Sequence, residues 1–486
     1  KKDEFIDQGT NMMMGSMFKE NRSFAQQARR SRARKVLAML ALSVSCIIFH
    51  LRADSSSIVA ASKIRMRGAL EQNLLPASSP FCGNDGAFYG IVVDAASSGS
   101  RIRVFSWQSH DSPLVEVLPD PENAPSYETT PGVGFYAPDG KGAGESLSVL
   151  IDAAMRLIPK DKWAETQFYL QATAGLRLLE PSEASAVLRD ISTYLADKKN
   201  CPFEVKAVEI ISGRQEGFFA FRSINNGIKE DNDLSQWRGL LDLGGASTQV
   251  TFRPETDVQN QKFTFDVNHV KYSVYATSYL PFGLNVALIR YKEKLAKDTP
   301  AGGRIASPCH NPNYQETYLT RDGRAVEIYG EIDNGGECVS KAKELLYLRD
   351  SCAHEGCPTV GAQMGKLRGD FYALSAFFYV AYDLGLVGWS DSIVMKPSQL
   401  SNAGIDFCKK DLPHKYDDVQ KNACFQSIYA AAILDMYGFE DYNDGTITFT
   451  RMVDGRNGDW TMGSLLSARE DVVCEPKFPS LIMQDH

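Results

Sequence analysis

The sequence predicts an α/β protein built from two similar domains that face each other, and three observations carry that prediction. A strand, an aspartate, a turn of small residues and a second strand follow one another at 89–105, with Asp94 opening the turn, and again at 239–252, with Asp242 opening it. The two aspartates stand 148 positions apart, a domain-sized interval, whereas solenoids repeat every ~20–50 residues. Runs of helical spacing or helical length (183–195, 371–384 and 425–437) and a further strand-like run (205–211) accompany the two hairpins. The 486 residues leave room for two to four domains at roughly 100–200 residues each.

Each element has its own signal. Residues 89–93, Tyr-Gly-Ile-Val-Val, read as a short apolar strand; the polar tip 94–100 follows, and 101–105 alternates as the return strand. Residues 183–195 space their apolar side chains along one helix face. Residues 205–211 read as a strand. The second hairpin comes next, at 239–252. The apolar runs 371–384 and 425–437 read as buried helices.

The formal net charge of −8 joins two unlike parts. Residues 1–35 form a basic tail with nine Lys and Arg against four Asp and Glu, and the rest is acidic. An acidic body excludes bulk nucleic-acid binding, which needs a broad basic surface. Ordinary apolar and charged fractions exclude a disordered or multi-span membrane protein. Between tail and body, residues 36–51 carry no formal charge and are bracketed by Lys35 and Arg52. A basic flank stays on the cytosolic side, so the chain beyond it is expected in the secretory lumen or outside the cell. As a helix the run spans ~24 Å, short against a ~30 Å hydrocarbon core. Two readings stay open: a signal anchor, giving a single-pass type II protein, or a cleaved signal peptide, giving a secreted one. Residues 52–84 read as a polar stem.

Ten cysteines fit an oxidising compartment. Cys46 lies in the apolar run. Cys352 with Cys357, then Cys408 with Cys424 and Cys309 with Cys338, are the most natural pairs, while spacing alone leaves the connectivity open. Cys82, Cys201 and Cys474 remain, so at least one thiol stays free or pairs between molecules. A zinc alternative at Cys309, His310, His354 and Cys357 matches no familiar ligand spacing. Beyond the apolar run there is no Asn-x-Ser/Thr acceptor.

The two turns carry the chemistry. Gly- and Ser-rich backbone lets N–H groups approach phosphate oxygens with no Cβ in the way. Asp94 and Asp242, at strand ends, suit a divalent cation that keeps several waters and shares substrate phosphates. Residues 171–177, Gln-Ala-Thr-Ala-Gly-Leu-Arg, add the Thr173 hydroxyl and a close backbone at Gly175. Residues 212–217, Ser-Gly-Arg-Gln-Glu-Gly, place Glu216 at a helix start. Taken singly, either turn is an ordinary hairpin, Arg177 a surface charge and Glu216 a solvated first-turn residue. Their recurrence with matching Asp and Ser/Thr placements favours phosphate.

In order, segments 94–101, 171–177, 212–225, 242–249 and 371–379 resemble the five conserved regions of the apyrases, or nucleoside triphosphate diphosphohydrolases, and 460–463 resembles their closing motif. The resemblance covers roughly 88–466. It implies the actin/sugar-kinase/Hsp70 superfold, two ribonuclease H-like lobes with a cleft between them. Lobe I would be 85–212 with 450–480 and lobe II 213–449. It implies hydrolysis of terminal phosphates of nucleoside tri- and diphosphates with Ca²⁺ or Mg²⁺, at the cell surface or in the Golgi. Glu216 matches the base that activates water. Ser247 and Gln249 match residues that orient this water, with Thr173 nearby. Asp94 and Asp242 match the carboxylates that hold the hydrated cation, and Trp460 a residue near its water shell. Ser97, Ser98, Gly99, Gly244, Gly245 and Ala246 match the phosphate cradles. In the fifth region Tyr372 is taken for the ring that stacks on the base. Ala96 departs from the family's usual Gly, which bears on relative tri- and diphosphate rates. Two other classes are compatible with the superfold: a phosphotransferase, which needs an acceptor in the cleft, and a non-catalytic nucleotide-binding or adhesion protein.

Overall fold

Two mixed sheets built on one plan carry the chain. In the first, β1 (Phe88–Ala95) and β2 (Ser100–Trp107) form an antiparallel hairpin, β3 (Val115–Glu116) pairs antiparallel with β2, β4 (Gln167–Ala172) lies parallel to β1, and β5 (Glu204–Ile210) lies parallel to β4. In the second, β6 (Gly239–Leu243) and β7 (Thr248–Phe252) form the hairpin, β8 (Val270–Tyr279) pairs antiparallel with β7, β9 (Phe371–Ser375) lies parallel to β6, and β10 (Ile447–Thr450) lies parallel to β9. Both read across as third, second, first, fourth, fifth. The second sheet is extended by Lys262–Val267 beyond β8 and by Ser392–Val394 beyond β10. The computed structural model describes residues 73–75, 87–109, 112–117, 127–227, 236–254, 262–267, 270–331, 336–346, 367–412, 420–440, 442–470 and 472–474. The basic tail, the 36–51 run, Cys46, Cys82, Cys352 and Cys357 lie outside them. Among the described residues no helix is long and apolar enough to cross a membrane. Within the stretch read as a stem, Asn73–Leu75 pairs in parallel with Val472–Cys474.

The main cores follow from the two-residue period of the strands. Ile91 and Val93 of β1 face one way, against α1 (Ser148–Leu157) and α2 (Pro181–Ala196). On α2 the buried Ala184, Val187, Ile191 and Leu195 recur every three or four residues, the stripe expected of a one-sided helix. Val92 faces the other way, into a core between the sheets that also holds Leu240 of β6 and Leu374 of β9. That middle core is filled by Phe218, Phe221 and Ile224 of α3 (Gly213–Ile224) and by Leu465 and Leu466 of α4 (Thr461–Glu470). Helix α3 packs on the second sheet and α4 on β1, and the two helices pack on each other. A third core lies behind the second sheet, where Leu241 and Leu243 meet the fully buried helix Ala423–Leu434. The period places each aspartate: Asp94 and Asp242 stand two residues beyond Val92 and Leu240, on the same face, so both point into the space between the sheets.

The run 371–384 is not one helix. Phe371–Ser375 is a strand between two parallel neighbours, and only Ala376–Asp383 is helical. A strand buried on both faces reads as a continuous apolar run, which periodicity alone does not separate from a buried helix. The disulfides Cys309–Cys338 and Cys408–Cys424 form as expected. Cys201 is buried and free. The zinc alternative falls with Cys309 in a disulfide; its neighbour His310 is buried, with Ser307 at 2.6 Å and Asn422 at 3.3 Å.

Helices α3 and α4 touch backbone to backbone at Gly463, where a Cβ would lie 1.8 Å from Phe219 O. Gly463→Ala forces them apart and lowers stability by about 1–3 kcal/mol, the usual penalty of overpacking. Denaturant unfolding reads this directly; an unchanged midpoint would contradict the packing.

Candidate active site

β1 and β6 end in the same construction. After Asp94 the Ala96 N–H donates to Gly99 O at 2.9 Å; after Asp242 the Gly244 N–H donates to Ser247 O, also at 2.9 Å. Register sets Arg101 opposite Asp94 and Gln249 opposite Asp242, and cross-strand partners share a face. Gly99 therefore matches Ser247, and Arg101 matches Gln249. One frame carries different chemistry: a hydroxyl and an amide in the second sheet, a cation in the first. The two turns meet at Gly245, where a Cβ would lie 2.9 Å from Ser97 Oγ.

Between the turns lies a cleft of about 230 Å³. Of the expected residues, Asp94, Ser97, Thr173, Glu216, Asp242, Gly244, Gly245, Ala246, Ser247 and Trp460 line it, as does Ala96. Ser98 and Gly99 do not; their carbonyls shape the first turn, accepting from Gly132 and Ala96. Gln249 is fully buried behind Ser247, its Nε2 donating to Ser247 Oγ at 2.9 Å and Ser278 Oγ at 3.1 Å. Tyr372 does not reach the cleft either. It lies in mid-strand on β9, half-buried against the middle core. Besides Trp460, the aromatic ring at the cleft is Tyr379 on the following helix, 43% exposed and stacked on Trp389 at 6.0 Å.

Glu216 sits in the first turn of α3, where the helix dipole favours negative charge by ~0.3–1 kcal/mol. The helix start is set by a capping box: the Gln215 N–H donates to Ser212 Oγ and the Ser212 N–H to Gln215 Oε1. Burial raises the Glu216 carboxyl to about 8; Arg177 opposes this, and Asp242 and Asp94 add to it. Arg177 Nη2 lies 2.5 Å from Glu216 Oε2 and 3.4 Å from Ser247 Oγ.

Burial likewise raises Asp94 to about 7, against the nearby Arg101, and raises Asp242, against a hydrogen bond from Ser375. One oxygen of each, Oδ1, is buried without a protein partner. Two such orphaned acceptors in one cleft fit a divalent cation. Among the described residues no group of three or more His, Cys, Asp or Glu is arranged to hold a metal. An ion at these two carboxylates would complete its shell with water and ligand oxygens, the habit of Mg²⁺.

Residues 82–480 match the GDA1/CD39 (nucleoside phosphatase) family. The chain belongs to that family. This nucleoside phosphatase is 29% identical over 442 residues to mouse (Mus musculus) ectonucleoside triphosphate diphosphohydrolase 1, covering 81% of this chain and 83% of the mouse protein. It is 26% identical over 400 residues to probable apyrase 3 of Arabidopsis thaliana, covering 78% and 82%. In three dimensions it is similar to a nucleoside triphosphate hydrolase from Neospora caninum, with a TM-score of 0.57 at 14% identity over 78% of this chain and 92% of that one. The last likeness bears on fold alone.

Several cleft residues of the phosphatase escape a reading of motifs. Arg101 and Arg103 look like ordinary alternation in β2. Their i, i+2 spacing puts both on the Asp94 face, a signal available once the hairpin register is drawn. Asp459 anchors α4, accepting from the Thr461 N–H at 3.1 Å and pairing with Arg103 at 2.9 Å. Arg177 is a partner of Glu216, not a surface charge. Ser375 has φ +56° at the strand-to-helix turn, a conformation costing about 1–3 kcal/mol in a non-glycine residue, and it holds Asp242. Ser375→Ala removes that hold and should weaken Mg²⁺ binding about tenfold, the usual loss when a ligand's supporting partner goes. Calorimetric titration checks it; native affinity in the variant would contradict the role.

Proposed function

We propose that this phosphatase removes the terminal phosphate of nucleoside tri- and diphosphates through a water activated by Glu216, with Ca²⁺ or Mg²⁺ held by Asp94 and Asp242. The observation that carries the reading is the placing of Glu216 beside Ser247, backed by Gln249, in the cleft that holds the two orphaned aspartate oxygens. The relatives, an ectonucleoside triphosphate diphosphohydrolase and a probable apyrase, support the substrate class.

The residues divide the work. Backbone amides of the two turns, with Ser97 from one side and Gly244, Gly245 and Ala246 from the other, receive phosphate oxygens. Ser247, with Gln249 behind it and Thr173 nearby, holds a water beside Glu216. Glu216 takes a proton from that water as its oxygen attacks phosphorus in line and the bond to the departing nucleotide breaks. When bound, the cation neutralises charge on the phosphate oxygens. Trp460, only 4% exposed, walls this end of the cleft. Tyr379 takes the place given to Tyr372 as the platform for a base, a contact tolerant of base identity. Ala96 has no positive φ, so its methyl group strains no backbone and stands in the wall of the cleft.

Two actin-like lobes, 85–212 with 450–480 and 213–449, fit the matching strand orders, with α3 and α4 as the links between them. The disulfides support an oxidising compartment. That agrees with a catalytic part in the Golgi lumen or at the cell surface, anchored by the 36–51 run or released if it is cleaved.

Glu216→Gln should lower kcat by about 10²–10⁴-fold, the range for loss of a general base, with KM nearly unchanged. Phosphate release from ATP, ADP, GDP and UDP reads this, and chelator should abolish the release. Full turnover in the variant would sink the mechanism. The base works only when ionised and burial raises it to about 8. Turnover of the native enzyme at saturating Mg²⁺ should therefore climb as pH rises through the neutral range. A flat profile from about pH 6 to about pH 8 would contradict the assignment.

A further inference from the structure

Glu216 is 9% exposed. A carboxylate taken that far from water, with no cation beside it, keeps its proton and has no room for another. The cation beside it is Arg177, the last residue of the short turn Ala174–Arg177 that follows β4 of the first sheet. Glu216 belongs to α3, which packs on the second sheet. Their 2.5 Å contact therefore ties the two halves of the molecule together at the base. The guanidinium is wedged in place: a Cβ at Gly213, the first residue of α3, would lie 2.3 Å from Arg177 Nη1. The same Nη2 that holds Glu216 reaches Ser247 Oγ at 3.4 Å.

We propose that Arg177 is the positioning residue of the general base, occupying Glu216 Oε2 so that Oε1 is the oxygen left to receive the proton of the attacking water. This rests on Glu216 being that base. The water proton goes to Oε1, the water oxygen bonds to phosphorus, and the phosphoanhydride bond breaks. Because the two side chains come from different halves of the molecule, Oε1 is aimed only when those halves are together. The charged groups facing Glu216 are Arg177 from the turn after β4, Asp242 from β6 and Asp94 from β1. The two aspartates favour the protonated acid and Arg177 favours the carboxylate. Without the guanidinium, Glu216 holds its proton to higher pH and is free to turn.

The test uses the full chain with Arg177→Met, Arg177→Lys and Glu216→Gln, assayed for phosphate release from ADP at saturating Mg²⁺ across pH. Arg177→Met should lower kcat at neutral pH about a hundredfold, with KM moved less than about threefold. The rising limb of its pH profile should shift up by about one unit or more. Arg177→Lys should recover part of kcat and part of the shift. A purely structural role predicts a lower melting temperature, equal loss at every pH, an unmoved limb and no recovery by lysine; that result overturns the proposal. If Arg177→Met does not fold, Arg177→Lys carries the test: an upward shift of the limb supports the proposal and an unmoved limb overturns it. Full activity in Glu216→Gln would remove the base assignment and the proposal with it. An inactive Glu216→Gln beside an unshifted Arg177→Met removes the proposal alone.

Discussion

Two carboxylates, one from the end of each central strand, face the same cleft half-buried, and each keeps one buried oxygen without a protein partner. A protein interior does not hold two such groups ionised without a compensating positive charge. The arrangement is therefore incomplete by itself, and much of the architecture serves to keep it so. The sheets repeat one strand order, which brings β1 and β6 to equivalent places. The middle core, filled by α3 and α4, sets the distance between them. Arg101 and Arg103 lie near Asp94, but they are paired with Glu128, Asp459 and Glu116, which holds their charge partly in reserve.

The duplicated hairpin shows how one frame yields a cleft with distinct sides. Equivalent hydrogen bonds close both turns, yet Ser247 and Gln249 stand where the first hairpin has Gly99 and Arg101. The groups proposed to handle water, Ser247 and Gln249, stand on the second side, next to Glu216 on the helix that leans on that sheet. The first side contributes backbone amides and cations. This asymmetry suits a cleft meant to hold a polyanion in one direction, despite a net-acidic body. Local donors outweigh the overall field because they are close and desolvated.

The parts of the fold legible in the sequence were those with local signals. The two Asp-turn hairpins, the amphipathic helix Pro181–Ala196 and the pairs Cys309–Cys338 and Cys408–Cys424 all carry such marks. Phe371–Ser375 did not, because a parallel strand covered on both faces has no alternation to show. The Tyr372 assignment failed for the same reason: in a strand, residue 372 packs into the middle core, and the chain must turn at Ser375 before Tyr379 can face the cleft. Arg177, Arg103 and Asp459 were hidden more deeply. Each matters through a partner tens to hundreds of residues away, and no spacing rule within one segment records that partner. Asp94 with Arg101 was nearer to hand, since the symmetry of the turn already places them opposite each other.

The most direct measurement is a double-mutant cycle of Mg²⁺ binding in the presence of a non-hydrolysable nucleoside diphosphate. It compares the native chain with Asp94→Asn, Asp242→Asn and the double variant. If the two carboxylates share one ion, each single substitution weakens binding about tenfold or more, and the double variant loses much less than the sum. Native affinity in either single variant, or losses that add in full, would contradict a shared cation as the element that completes the cleft.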